Sequence, residues 1–105
     1  MSTDALRDQI RDSRIALDLA NAAQRLQDSK DFKEVIQENL FTDKVIALTS
    51  KLALFPIDSA EFKHVVRELD AISYLKNYLT QLNLTGAEAQ VSIQDAQNIL
   101  NNAEE

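Results

Sequence analysis

Apolar residues recur along this chain at spacings of three and four, the period of one helix face, almost from end to end. The first stretch predicts a helix from Ser2 or Thr3 to about Gln27. Either hydroxyl can accept a hydrogen bond from the free N–H groups of the first turn, and Asp4 and Asp8 suit the positive end of the helix dipole. Leu6, Ile10, Leu17 and Ala20 mark one apolar stripe; Ile15, Leu19, Ala22 and Leu26 mark a second. The second half of this helix is therefore apolar over a wide arc. The first half is narrower and carries the opposite-charge pairs Asp4–Arg7, Asp8–Arg11 and Arg14–Asp18, each worth roughly 0.3 kcal/mol.

Four further elements follow. Asp31 and Glu34 have the spacing of a capping box and open a short second helix with Phe32, Val35, Ile36 and Leu40 on its apolar side, closed at Asn39 in the left-handed conformation Asn tolerates. Thr42 reads as the N-cap of a third helix with Val45, Ile46, Leu48, Leu52 and Ala53 on its buried face, stopped by Pro56. Asp58 and Glu61 open a fourth, in which Phe62, Val65, Val66, Leu69, Ile72, Leu75, Tyr78, Leu79 and Leu82 give the best amphipathic pattern of the chain. Thr85-Gly86-Ala87-Glu88 reads as a break with its own capping box. Beyond it, residues 87–101 form a weak helix with a thin stripe of Ala89, Ile93, Ala96 and Leu100. No internal repeat is visible.

The expected fold is all-α, an irregular bundle of four main helices plus a weak C-terminal helix. The long first and fourth helices run antiparallel, and the short second and third form a hairpin against them. Residues 1–84 make the helical domain, and residues 85–105 an acidic, polar C-terminal helix or tail. The expected core is Leu19, Ala23, Leu26, Phe32, Val35, Ile36, Leu40, Val45, Leu48, Leu52, Phe62, Val65, Val66, Leu69, Ile72 and Leu79. One Gly and one Pro in 105 residues support the helical reading, because strand-rich folds need many tight turns.

Composition narrows the chemistry. There is no Cys, which excludes disulfides and thiolate metal sites. The formal net charge is −6, and all eleven Lys and Arg lie between Arg7 and Lys76. An acidic surface repels phosphate backbones and anionic lipids, so neither nucleic acid nor a membrane is an expected partner. No apolar run is long enough to span a bilayer, and the N-terminus lacks the layout of a secretion signal.

Catalytic constellations are hard to find. His64, the only histidine, stands beside Glu61 and Glu68 at helical spacing; a divalent-metal site is conceivable, a solvated charged face far more so. Ser73 lacks a base and reads as a small helix residue bonding its own backbone. Glu104 and Glu105 lie in a polar tail, where solvation prevents the divergent pKa values that carboxylate catalysis needs. A phosphate-binding loop would need several glycines. The expectation is a non-enzymatic protein without cofactor or metal.

Contacts with other chains are the more promising direction. Tyr78 belongs to the apolar stripe, which leaves Tyr74 to meet a partner. Leu54, Phe55 and Ile57 around Pro56 either plug the core or form an exposed knob. The small side chains Ala16, Ala20, Ala22 and Ala23 permit close helix approach, within the chain or to a second copy. The candidate partner-contact residues are Leu6, Ile10, Phe55, Tyr74, Ile93 and Leu100.

The stretch Asp31-Phe32-Lys33-Glu34-Val35-Ile36-Gln37-Glu38-Asn39-Leu40-Phe41, then Val45-Ile46-Ala47-Leu48, Glu68-Leu69-Asp70-Ala71-Ile72 and Leu75-Lys76-Asn77-Tyr78-Leu79, resembles small acidic helical proteins of tailed bacteriophages, encoded among virion-structure genes. The likeness spans roughly residues 20–82. It implies a virion component or assembly accessory present in many copies, found in the virion or the host cytoplasm. Its partners would be copies of itself or other virion proteins, in a homo- or hetero-oligomer. The alternative is a phage-encoded inhibitor whose acidic surface occupies a host protein.

Overall fold

A computed structural model describes residues 2–104. Every regular element among them is helical: α1 (Thr3–Asp28), α2 (Lys30–Phe32), a wide π-helical segment π1 (Lys33–Lys44), α3 (Val45–Leu52) and α4 (Ala60–Glu104). Because α2, π1 and α3 follow one another without a gap, the helices form three rods rather than four with a weak fifth. The chain divides into two compact units, one of residues 1–25 and 80–105, the other of residues 26–79, and α4 contributes to both.

Serines start each rod. Ser2 Oγ accepts from Ala5 N–H (3.1 Å), Ser29 Oγ from Phe32 N–H (3.2 Å) and Ser59 Oγ from Phe62 N–H (3.1 Å). Ser29 and Ser59 also donate backward, to the carbonyls of Leu26 (2.8 Å) and Pro56 (2.6 Å), so one hydroxyl closes the preceding turn and opens the next helix. These serines do what the sequence reading gave to Asp31 and Asp58. Replacing Ser59 with Ala is expected to lower the unfolding free energy by about 1 kcal/mol. Asp58→Ala is expected to change it by less than about 0.5 kcal/mol. Urea denaturation of both variants distinguishes the two caps.

In the unit of residues 26–79, the rod of residues 30–52 turns back through a seven-residue loop and packs against the first part of α4. Leu48, 1% exposed, is the centre of a cluster with Val65 and Ile72, bordered by Leu40, Phe41, Val45, Leu52, Phe55 and Leu69. Lys44 and Glu68 meet across this interface at 3.9 Å. The break expected at Asn39 is absent: no described non-glycine residue has a positive φ, and Thr42 does not cap a helix. Its hydroxyl instead donates to the Gln37 carbonyl five residues back (3.0 Å). The backbone of π1 is a π-helix, whose N–H to C=O bonds span five residues and make a wider turn than the 3.6 residues of an α-helix. Half-buried positions then recur as Phe32, Ile36, Leu40 and Phe41, and Val45, while Val35, placed inward by an α-helical period, faces out.

In the unit of residues 1–25 and 80–105, α1 lies antiparallel to the C-terminal part of α4. On α1 the inward positions are Leu6, Gln9, Ser13, Ala16, Ala20 and Ala23; on α4 they are Leu82, Gly86, Ala89, Ile93, Ala96 and Leu100. Both series alternate spacings of three and four, the repeat that keeps one face of a helix on its neighbour. Gly86 is buried directly against Ala20, so close that a Cβ built on it would overlap the Ala20 methyl. At the other end, Gln9 Nε2 donates to the Ser92 Oγ (2.9 Å) and carbonyl (3.3 Å), and Ser13 Oγ donates to Ser92 Oγ (3.1 Å). Close backbone approach at one end and a polar clasp at the other fix the register.

The expected break at Thr85–Gly86 is thus a misreading: α4 continues through it, and the segment taken for a weak fifth helix is the part that covers α1. Leu19 and Leu26, expected in the core, are more than half exposed, because beyond Leu6 the face that α1 turns inward is made of small residues.

Candidate interaction surface

A shallow groove runs between α1 and α4 beside the small-residue seam, lined by Asp12, Ser13, Ala16, Thr85, Glu88, Ala89 and Ser92. Its flanks follow from helical repetition. Leu19 is seven residues beyond Asp12 and so takes the same angular position; Ile15 lies three beyond Asp12. On α4, Ile99 continues the series Thr85–Ser92, while Leu84 and Val91, each midway between two inward positions, lie on the face turned away from α1. All five of these apolar side chains are more than half exposed. The groove therefore has a floor of small residues, with Leu19 at its edge on α1 and Ile99 on α4.

The charge of the rim is one-sided. Asp12 and Glu88 line the groove, and Arg11, on the outward face of α1, pairs with Asp8 (3.3 Å) and Asp12 (3.5 Å) of its own helix. From residue 77 onward the chain has no Lys or Arg. The opposite flank of the seam, lined by Leu17, Asn21, Gln24, Asn83, Ala87 and Gln90 among others, carries no charged group.

The unit of residues 26–79 exposes apolar groups of its own. Leu54, Ile57 and Tyr74 are each 75% exposed, and Ile46 and Val35 more than half. Ile57 also edges a small hollow with Phe62, Lys63, Val66 and Arg67. The loop around Pro56 thus divides: Phe55 plugs the Leu48 cluster, while Leu54 and Ile57 project into solvent.

The six candidate contact residues fall into three groups. Tyr74 is exposed. Leu6, 2% exposed, and Ile93, 7% exposed, spend their surface inside the α1–α4 seam and are structural there. Ile10, Phe55 and Leu100 are partly buried. The stripe Leu84, Val91 and Ile99 escaped the sequence reading because it is recognisable as an outer face only once Gly86, Ala89 and Ile93 are known to face inward.

His64 Nε2 lies 2.7 Å from Glu68 Oε1 on an exposed helix turn, the ordinary pairing of residues four apart. Among the described residues no three His, Asp or Glu side chains converge to hold a metal ion, and no helix is long and apolar enough to cross a membrane. The carboxylates of Glu104 and Glu105 fall outside the described side chains. Comparison with protein-family models, with curated proteins and with solved structures returned no match.

Proposed function

We propose that this protein acts by binding and not by catalysis, docking its helical surfaces on other protein chains as a structural or assembly component of a tailed-phage particle. The observation that carries the binding half of this reading is the arrangement of exposed large apolar side chains in lines. Ile15 and Leu19 lie along one helix, and Leu84, Val91 and Ile99 along the other. Scattered exposed leucines are ordinary on a monomer, whereas large apolar groups repeated along one helix suit contact with another chain. The phage half rests on the resemblance over residues 20–82 and on the acidic, cysteine-free composition.

Mass spectrometry of gradient-purified particles tests the assignment. A virion component is expected at a fixed copy number per particle that survives a salt wash. Absence from particles, with the chain recovered on a host protein from infected cells, would replace this reading with the acidic-inhibitor alternative.

A further inference from the structure

We infer that the exposed apolar stripe of α1 is a contact between two copies of this chain, packed antiparallel about a two-fold axis. The inference rests on the docking reading above and names the occupant as a second copy. Ile15, Leu19, Ala22 and Leu26 follow one another at spacings of four, three and four, so they form one line along the helix. All four are exposed, the three large ones by more than half. The line lies roughly a third of a turn from the face that Leu6, Ser13 and Ala20 turn toward α4. Within the chain α4 therefore leaves it open, and over about 17 Å it keeps the repeat by which one helix seats on another.

Shape and charge both select a second copy in antiparallel register. With the axis between residues 20 and 21, Ile15 meets Leu26 of the other copy, and Leu19 fits over the small Ala22. Asp18 and Arg25 border the stripe on the side away from α4, seven residues apart and so in line. Neither makes an ion pair within its own chain. The antiparallel register sets Asp18 of each copy beside Arg25 of the other, giving two opposite-charge pairs related by the axis. A parallel arrangement would stack Leu19 on Leu19 and turn Asp18 toward the alanine side, with both charges unanswered. A partner of uniform charge would answer one of these two groups and repel the other, whereas the chain itself carries the matching set.

The test is sedimentation equilibrium of the full chain from low micromolar to submillimolar concentration. The contact is short, so a monomer–dimer equilibrium with Kd on the order of tens of micromolar is expected. Ile15→Ser with Leu19→Ser should weaken the dimer about tenfold or more. Asp18→Arg and Arg25→Asp each set like charges together in the antiparallel register. Each should weaken the dimer about fivefold or more, and less at high salt. Mixed in equal amounts, these two variants should associate about as tightly as the parent chain, because each supplies the charge the other lacks. The double variant Asp18→Arg with Arg25→Asp should recover the dimer alone. All substituted positions are exposed, and far-UV circular dichroism confirms that each variant is folded.

A chain that stays monomeric at every concentration overturns the inference, as does a dimer that Ile15→Ser with Leu19→Ser leaves intact. So does a dimer indifferent to the charge reversals, or one that neither mixing nor the double reversal restores. None of these results touches the docking reading, which stands or falls on the particle measurement above, and absence from particles would leave the dimer as it is.

Discussion

Gly86→Ala is expected to destabilise the protein, although replacing a glycine inside a helix ordinarily adds about 1 kcal/mol of stability. Gly86 lies within α4, so its replacement should help the helix as an isolated object. The new methyl, however, would overlap Ala20 Cβ, which is fixed rigidly to its backbone and cannot rotate away. The two helices must move apart or bend, and the loosened contacts of Ala20, Ala23, Ala89 and Ile93 cost more than the propensity gain. Overpacking of this kind costs about 1–3 kcal/mol. A larger side chain, as in Gly86→Leu, lies at the upper end or beyond. Ala20→Gly should cost about 1 kcal/mol alone yet relieve much of the defect when combined with Gly86→Ala. The signature is therefore a favourable coupling energy in the double-mutant cycle, measured by urea denaturation. Additive effects at these two positions would mean that they do not touch.

Leu48→Ala gives the second large effect, about 2–5 kcal/mol of lost stability. Leu48 is 1% exposed at the centre of the cluster with Val65 and Ile72, ringed by six partly buried apolar residues. Truncation removes its contacts and leaves a void that a wide helical segment on one side and α4 on the other cannot both close. The control is Leu54→Ala: chemically identical, six residues away and 75% exposed, it should change stability by less than about 0.5 kcal/mol. A small unfolding free-energy change for Leu48→Ala would place the core elsewhere.

Much of this architecture was legible in the sequence, and the misreadings have specific causes. Val65, Ile72 and Leu79 recur every seventh residue and proved to be buried, because a long regular stripe admits only one helical face. Asp58 and Ser59 are both competent caps one residue apart, and sequence alone does not say whose hydroxyl or carboxylate reaches the free N–H. Thr85-Gly86-Ala87-Glu88 has capping-box spacing by coincidence. What overrides it is the series Leu82, Gly86, Ala89, Ile93, Ala96, whose unbroken repeat keeps one face of α4 on α1. Glycine there is a packing residue, small enough for two backbones to approach.

The second cause is the use of small side chains to make an interface. A reading weighted by apolar bulk puts Leu19 and Leu26 inside together with Ala23, and leaves open whether Ala20 and its neighbours pack within the chain or on a second copy. The fold buries Ala20 and Ala23 and leaves Leu19 and Leu26 more than half exposed. The third is π1, where the inward positions Phe32, Ile36, Leu40 and Val45 recur at four and five residues, longer than the 3.6 of an α-helix, so the α-helical spacing that places Val35 inward does not hold. Of the candidate contacts, Tyr74 alone is mostly exposed, at 75%.

Site-specific photo-crosslinking in infected cells tests most directly the claim that these exposed faces are docking surfaces. A photoreactive residue is placed in turn at Leu19, Ile57, Tyr74 and Val91, with Arg14 as the control position. Covalent products with one defined protein are expected from at least one of the apolar positions, in yield far above that from Arg14. Crosslinks no more frequent at the apolar positions than at Arg14, at every stage of infection, would contradict the account.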